Sequence, residues 1–148
     1  MKTLPALCVM LAVIGANMTA CATSHQITSG DTNMCVNVEN HGYPVQGTPL
    51  RVKPCDPWRN QQWAFSNGAI SGVGGMCLDV QGGMPNDGAP VVYEPCNGTP
   101  SQAWTVASGS VVGIGGKCLD IAGGQPSPWS SLVIASCTGS PSQQWIVH

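Results

Sequence analysis

Charge is scarce in this chain: five Lys+Arg against seven Asp+Glu in 148 residues leave a net charge of −2, with no basic run. That excludes a protein held to DNA or RNA by phosphate contacts. A hydrophobic share of 43% equally excludes a disordered chain. The one long apolar stretch, residues 4–18, is shorter than the roughly 18–20 residues of a membrane span. Catalytic signatures are missing as well: no GxSxG, HExxH or phosphate-cradling loop occurs. The three His, at 25, 41 and 148, lie beside the leader, in a turn and at the terminus, and none falls in a recognisable nucleophile–base motif. No Cys pair has the close spacing of a metal site. These absences predict a non-enzyme without metal or cofactor. What is abundant is punctuation: 19 Gly and 12 Pro, about one residue in five. They break helices before these reach useful length, so short strands and turns in one all-β domain are expected.

Residues 1–21 have the order of an export signal: a short basic start at Lys2, the apolar run, then small residues at Thr19-Ala20-Cys21-Ala22. Two processing outcomes fit. Met18-Thr19-Ala20-Cys21 is similar to a bacterial lipobox, which would make Cys21 the lipid-attachment site of a surface lipoprotein. Ala20-Cys21-Ala22 also fits ordinary cleavage and soluble secretion.

Beyond the leader, six cysteines fall in pairs: Cys35 and Cys55, Cys77 and Cys96, Cys118 and Cys137. Six cysteines allow 15 pairings in principle. The separations of 20, 19 and 19, recurring after 42 and 41 residues, select the one in which each pair closes inside its own repeat. Export supplies the oxidising compartment, and each loop would stabilise by about 3 kcal/mol. Gln61-Gln62-Trp63, Gln102-Ala103-Trp104 and Gln143-Gln144-Trp145 keep the same 41-residue period. Repeats two and three also share Gly-Gly-x-Cys-Leu-Asp, ending at Asp79 and Asp120. Each unit reads as four short strands, with Asn67-Gly68 a hairpin turn, and three units are about the minimum that can bury a common core.

The unit Cys-Leu-Asp, Gly-rich turn, Cys, Gln-x-Trp resembles the ricin B-type lectin repeat, over residues 26–148. The resemblance implies a β-trefoil of three repeats (about 26–66, 67–107 and 108–148), with residues 22–34 supplying the lead-in and first strand. Trp63, Trp104 and Trp145 are expected in the core. Gln61, Gln102 and Gln143 are expected to bond backbone or the repeat's carboxylate. The resemblance gives Asp79 and Asp120 the role of accepting hydrogen bonds from adjacent sugar hydroxyls; tying down the turn is the alternative. Asn37 stands in the first repeat.

Relatives generally carry an aromatic two residues before the second Cys, and a polar acceptor two before that. Lys53, Glu94 and Ala135 hold the first position here; Arg51, Val92 and Val133 hold the second. Aromatics lie nearby at Tyr43, Tyr93 and Trp129. Tyr93 is a candidate sugar contact of the second repeat; against it, strand alternation would turn it toward the core and Glu94 toward the site. Trp129 falls where the second repeat has Gly88, in a Pro/Ser-rich turn that favours exposure. The family's Asn before Gln survives as Asn60, replaced by Ser101 and Ser142, and the candidate sugar contacts are Asp79, Glu94, Tyr93, Ser101, Asp120, Trp129, Ser142, Asn37 and Asn60. The function expected is an exported, non-catalytic, multivalent glycan-binding module, touching membrane only through a lipid at Cys21. The alternative is a protein-interaction trefoil, such as an adhesion or toxin-assembly subunit, which the missing stacking aromatics favour.

Overall fold

The computed structural model describes residues 7–8, 21–39, 43 and 45–148. The leader lies mostly outside these residues, as does His41; its described part is a two-stranded ladder, β1 (Leu7–Cys8) with β2 (Cys21–Ala22).

Twelve strands follow, four per repeat. The first repeat holds β3 (Ile27–Ser29), β4 (Met34–Val38), β5 (Thr48–Pro54) and β6 (Ala64–Ser66). The second holds β7 (Ala69–Ser71), β8 (Met76–Val80), β9 (Val91–Pro95) and β10 (Thr105–Ala107). The third holds β11 (Ser110–Val112), β12 (Cys118–Ile121), β13 (Leu132–Ala135) and β14 (Trp145–Val147). The second and third strands of each repeat form an antiparallel hairpin. The fourth strand pairs with the first strand of the next repeat, as β6–β7 and β10–β11. β14 pairs back onto β3, so the ring of repeats is closed. The linking turns at Asn67-Gly68 and Ser108-Gly109 have positive φ at both residues, 50° and 76° then 50° and 80°, which suits the strand twist of a tight hairpin.

One apolar cluster fills the axis, built from the inward residues of all three hairpins, among them Val36, Leu78 and Leu119, and from the three tryptophans. Each indole Nε1 donates to a backbone carbonyl of its own repeat's second strand: Trp63 to Val36 at 3.1 Å, Trp104 to Leu78 at 3.0 Å, Trp145 to Leu119 at 2.9 Å. The bond removes the penalty of burying an N–H and pins the ring's orientation. Trp63 and Trp104 also pack on glycines: a Cβ at Gly72 or Gly113 would lie 2.7 Å from the respective ring.

Three disulfides, one per repeat, join Cys35–Cys55, Cys77–Cys96 and Cys118–Cys137, with Cα atoms 5.0, 5.0 and 5.1 Å apart. The loop before each third strand leans on the following repeat. Gly47 N donates to Tyr93 O, Gly88 N to Ile134 O and Trp129 N to Val52 O, each at 2.8 Å. A cyclic set of arms therefore locks the repeats together. Between repeats two and three a charged staple reinforces it: Lys117 Nζ lies 2.7 Å from Asp87 Oδ1, which also accepts from Ser136 N at 2.9 Å. These bonds, Lys117's first, hold the Asp87 carboxyl below its ordinary pKa of 3.8.

Candidate functional site

Strand alternation turns Leu78 and Val80 to the core and Asp79 to the outer face of its hairpin, and a short turn (Pro100–Gln102) roofs that face. The turn brings Gln102 over the strand. Its Nε2 donates to Asp79 Oδ2 and to Pro95 O, both at 2.9 Å, while its Oε1 accepts from Asn97 N at 2.8 Å. The third repeat repeats this bonding: Gln143 Nε2 donates to Asp120 Oδ2 and Ser136 O at 3.0 Å, and Oε1 accepts from Thr138 N at 2.8 Å. In the first, Gln61 Nε2 reaches Asn37 Oδ1 at 3.3 Å and Pro54 O at 3.1 Å, and Oε1 accepts from Asp56 N at 2.9 Å. All three glutamines therefore use both ends of the amide, fixing the second-strand polar residue against the second cysteine's loop.

The residue before each glutamine differs in what it bonds. In the first repeat Asn60 Nδ2 donates to Asn37 Oδ1 at 2.8 Å, and the two side chains close on each other in the interior. Both had been expected at a sugar site; they form an internal lock instead, with Asn37 at 0% exposure. In the other repeats the shorter Ser101 and Ser142 bond sideways, to Thr99 Oγ1 at 3.1 Å and Ser140 Oγ at 3.3 Å, and not to the carboxylates. Each aspartate thus keeps Oδ1 free of any hydrogen bond among the described residues, and in Asp120 that oxygen is shielded from solvent as well. Asp79 is 8% exposed, and Asp120 is more open. With one oxygen held by glutamine and the other unpaired, each carboxylate keeps unused hydrogen-bond acceptor capacity.

Tyr93 is a core residue and not a rim aromatic. It pairs with Leu78 across β8–β9, has 0% exposure, meets Trp63 edge-on at 6.0 Å and donates its hydroxyl to Val73 O at 2.6 Å. Burial pushes its pKa up to about 12. Glu94 pairs with Cys77 and takes the outward side. Trp129 is 52% exposed, on the loop that reaches back to β5.

Trp58, 69% exposed and two residues before Asn60, was not anticipated. Its only signal was a comparison in repeat phase, where Thr99 and Ser140 take the same place. A separate shallow groove between repeats one and three, lined by residues that include Ser29, Asp31, Pro126 and Gln144, contains none of the residues above. Among the described residues no three His, Cys, Asp or Glu side chains gather to hold a metal ion.

A closed ring of three four-stranded repeats, each with a Gln-x-Trp lock and an outward polar residue beneath it, defines a β-trefoil of the lectin type. The chain belongs to the ricin-type β-trefoil lectin domain family, whose profile matches residues 23–145. Nigrin b from Sambucus nigra is 40% identical over 53 residues, which is 36% of this chain and 9% of that protein's length. Among solved structures, the designed three-fold symmetric protein ThreeFoil is similar at a TM-score of 0.74 and 24% identity, covering 84% of this chain and 96% of its own. The C-half of the earthworm R-type lectin, solved in complex with GalNAc, reaches 0.73 at 17% identity, covering 84% and 97%. At such identities the likeness to these structures is one of fold.

Proposed function

We propose that this protein binds saccharides, without catalysis, at the outer faces of the second and third hairpins, with Asp79 and Asp120 as the central acceptors. One observation carries the reading: glutamine holds Oδ2 of Asp79 and of Asp120, and Oδ1 of each has no hydrogen-bond partner among the described residues, whereas the first repeat has there the amide nitrogen of the fully buried Asn37. In Asp120 that oxygen is also shielded from solvent, and a buried carboxylate oxygen left unpaired is costly unless a ligand satisfies it. A carboxylate suits two adjacent hydroxyls, and Glu94 adds a second acceptor on the second hairpin. The earthworm lectin's GalNAc complex supports the ligand class, since its fold is the same. Two sites on one rigid domain raise retention on a glycan-dense surface through effective concentration.

The protein is further proposed to be exported, in line with its three disulfides, and anchored by lipid at Cys21. Export and anchoring are tested in the native host by the fractionation of Cys21→Ser. The competing reading, a protein-interaction trefoil for adhesion or toxin assembly, draws on Glu94 and Ala135, which stand where a stacking aromatic would serve sugar. A glycan array probed with the mature domain at high multivalent density decides between them. Binding to defined glycans that is lost in Asp79→Asn/Asp120→Asn supports the saccharide reading; a blank array refutes it.

A further inference from the structure

Hairpins β4–β5, β8–β9 and β12–β13 are three-fold equivalents, yet their outward faces differ in charge. The register sets Asn37 opposite Arg51 and Cys35 opposite Lys53. On the second hairpin the same places hold Asp79 with Val92 and Cys77 with Glu94. On the third they hold Asp120 with Val133 and Cys118 with Ala135. The first face therefore presents two cations and no carboxylate at these places, the second two carboxylates, the third one. Such an inversion within one scaffold changes which ligand charge is tolerated.

The arm that leans on this face is also exceptional. Gly47, Gly88 and Trp129 occupy equivalent slots with φ of 80°, 86° and 72°. A glycine takes that conformation freely, whereas an L side chain is strained in it. Trp129 is nonetheless there, half in solvent, and strain of this kind concentrates where a side chain serves a ligand. Arg51 holds the arm: its Nη1 donates to Trp129 O at 2.8 Å and Ser131 Oγ at 3.2 Å, and Glu39 lies 4.0 Å from its Nε. Lys53 Nζ stands 4.4 Å from the Trp129 ring centroid. Among the described residues no carboxylate lies within salt-bridge distance of Lys53.

We propose that Trp129 and Lys53, positioned by Arg51, form a binding site for a saccharide bearing a carboxylate or sulfate group. The indole takes the C–H face of the sugar and the ammonium takes its anionic group. The site shares only its ligand class with the reading of the second and third hairpins, and it uses a different face made jointly by repeats one and three.

The test is titration calorimetry of the folded protein with a uronate-containing disaccharide, a sulfated disaccharide and their neutral counterpart. The parent should bind one or both acidic probes at least tenfold more tightly than the neutral one, with the preference shrinking as salt rises. The uronate and sulfate arms identify which anion is taken. Lys53→Gln and Trp129→Gly should each reduce the preference severalfold or more. Trp129→Gly restores the residue its backbone favours, so loss of binding with unchanged or higher thermal stability separates recognition from folding. Equal binding of acidic and neutral probes by the parent, or an intact preference in both variants, overturns the proposal. Asp79→Asn/Asp120→Asn keeps the two readings apart. If it abolishes binding of acidic probes too, this site is refuted and the other reading stands. If it leaves neutral binding intact while Lys53→Gln lowers acidic binding, this site stands and the other reading falls.

Discussion

Asp79→Asn is the substitution that most directly probes the proposed acceptor, and the first repeat already shows how the fold receives it. Asn37 sits at the equivalent place, its Oδ1 turned to Gln61 Nε2. An Asn at 79 will likewise turn its oxygen to Gln102, since the alternative sets an NH2 against an NH2. Its Nδ2 then points where Asp79 Oδ1 was, and an unpaired acceptor becomes a donor. The structural cost is the change from a charge-assisted to a neutral hydrogen bond with Gln102, about 1 kcal/mol. The binding cost is larger. A ligand diol loses two bonds to a charged acceptor, each weakened by about 1 kcal/mol, for about 2 kcal/mol together, or roughly 30-fold in affinity. Titration calorimetry with a soluble neutral saccharide should show one of two sites weakened by that factor, with the fold unchanged by circular dichroism. Asp120→Asn should remove the other site independently, because the two lie in different repeats. Parent-like affinity and stoichiometry in the folded Asp79→Asn variant would refute the reasoning.

Three further outcomes follow from the packing and the titrating groups. Gly113→Ala puts a Cβ 2.7 Å from Trp104 without disturbing the backbone, whose φ of −114° suits any residue. Overpacking should cost about 1–3 kcal/mol and lower Tm by about 4 °C per kcal/mol. Trp104→Phe should partly rescue it, and additive effects of the two changes would count against the contact. The Asp87 carboxyl, held below 3.8 by Lys117 and then Ser136, stabilises the fold above about pH 4 and loses that effect as pH falls through its lowered value. Denaturant midpoints measured down the acid range should fall less steeply in Asp87→Asn. Tyr93, pushed up to about 12 mainly by burial, contributes stability that is whole below pH 10 and lost as pH rises toward 12. Tyr93→Phe should flatten that alkaline loss in thermal scans while lowering stability at neutral pH, since Val73 O loses its donor.

The sequence was most legible where a signal recurred. The three cysteine pairs and three Gln-x-Trp motifs could be read because an error in one repeat would have been exposed by the other two. The four strands per repeat followed from period-two alternation, a local property of the backbone, and the same alternation was the argument against Tyr93, offered as a sugar contact and found in the core. Asn37 and Asn60 show the limit. Each matched a polar position in the motif, and nothing along the chain indicated that their amides bond to each other 23 residues apart. Trp129 was read as an exposed turn residue, but its partners Arg51 and Lys53 are nearly 80 residues earlier, a contact that exists only once the ring of repeats is closed.

The sequence by itself therefore determined the period, the disulfide pairing, the strand faces and the residue types offered at each repeat's outer position. These rest on local geometry and on repetition, which are written along the chain. Tertiary structure alone decided which of those polar groups stay open. Closure of β14 on β3 and the arms between repeats set the depth of each polar group and the partner it meets. In the first repeat Asn60 and Gln61 both hold the oxygen of a fully buried Asn37, whereas Ser101 and Ser142 bond sideways and leave Asp79 and Asp120 held by glutamine alone.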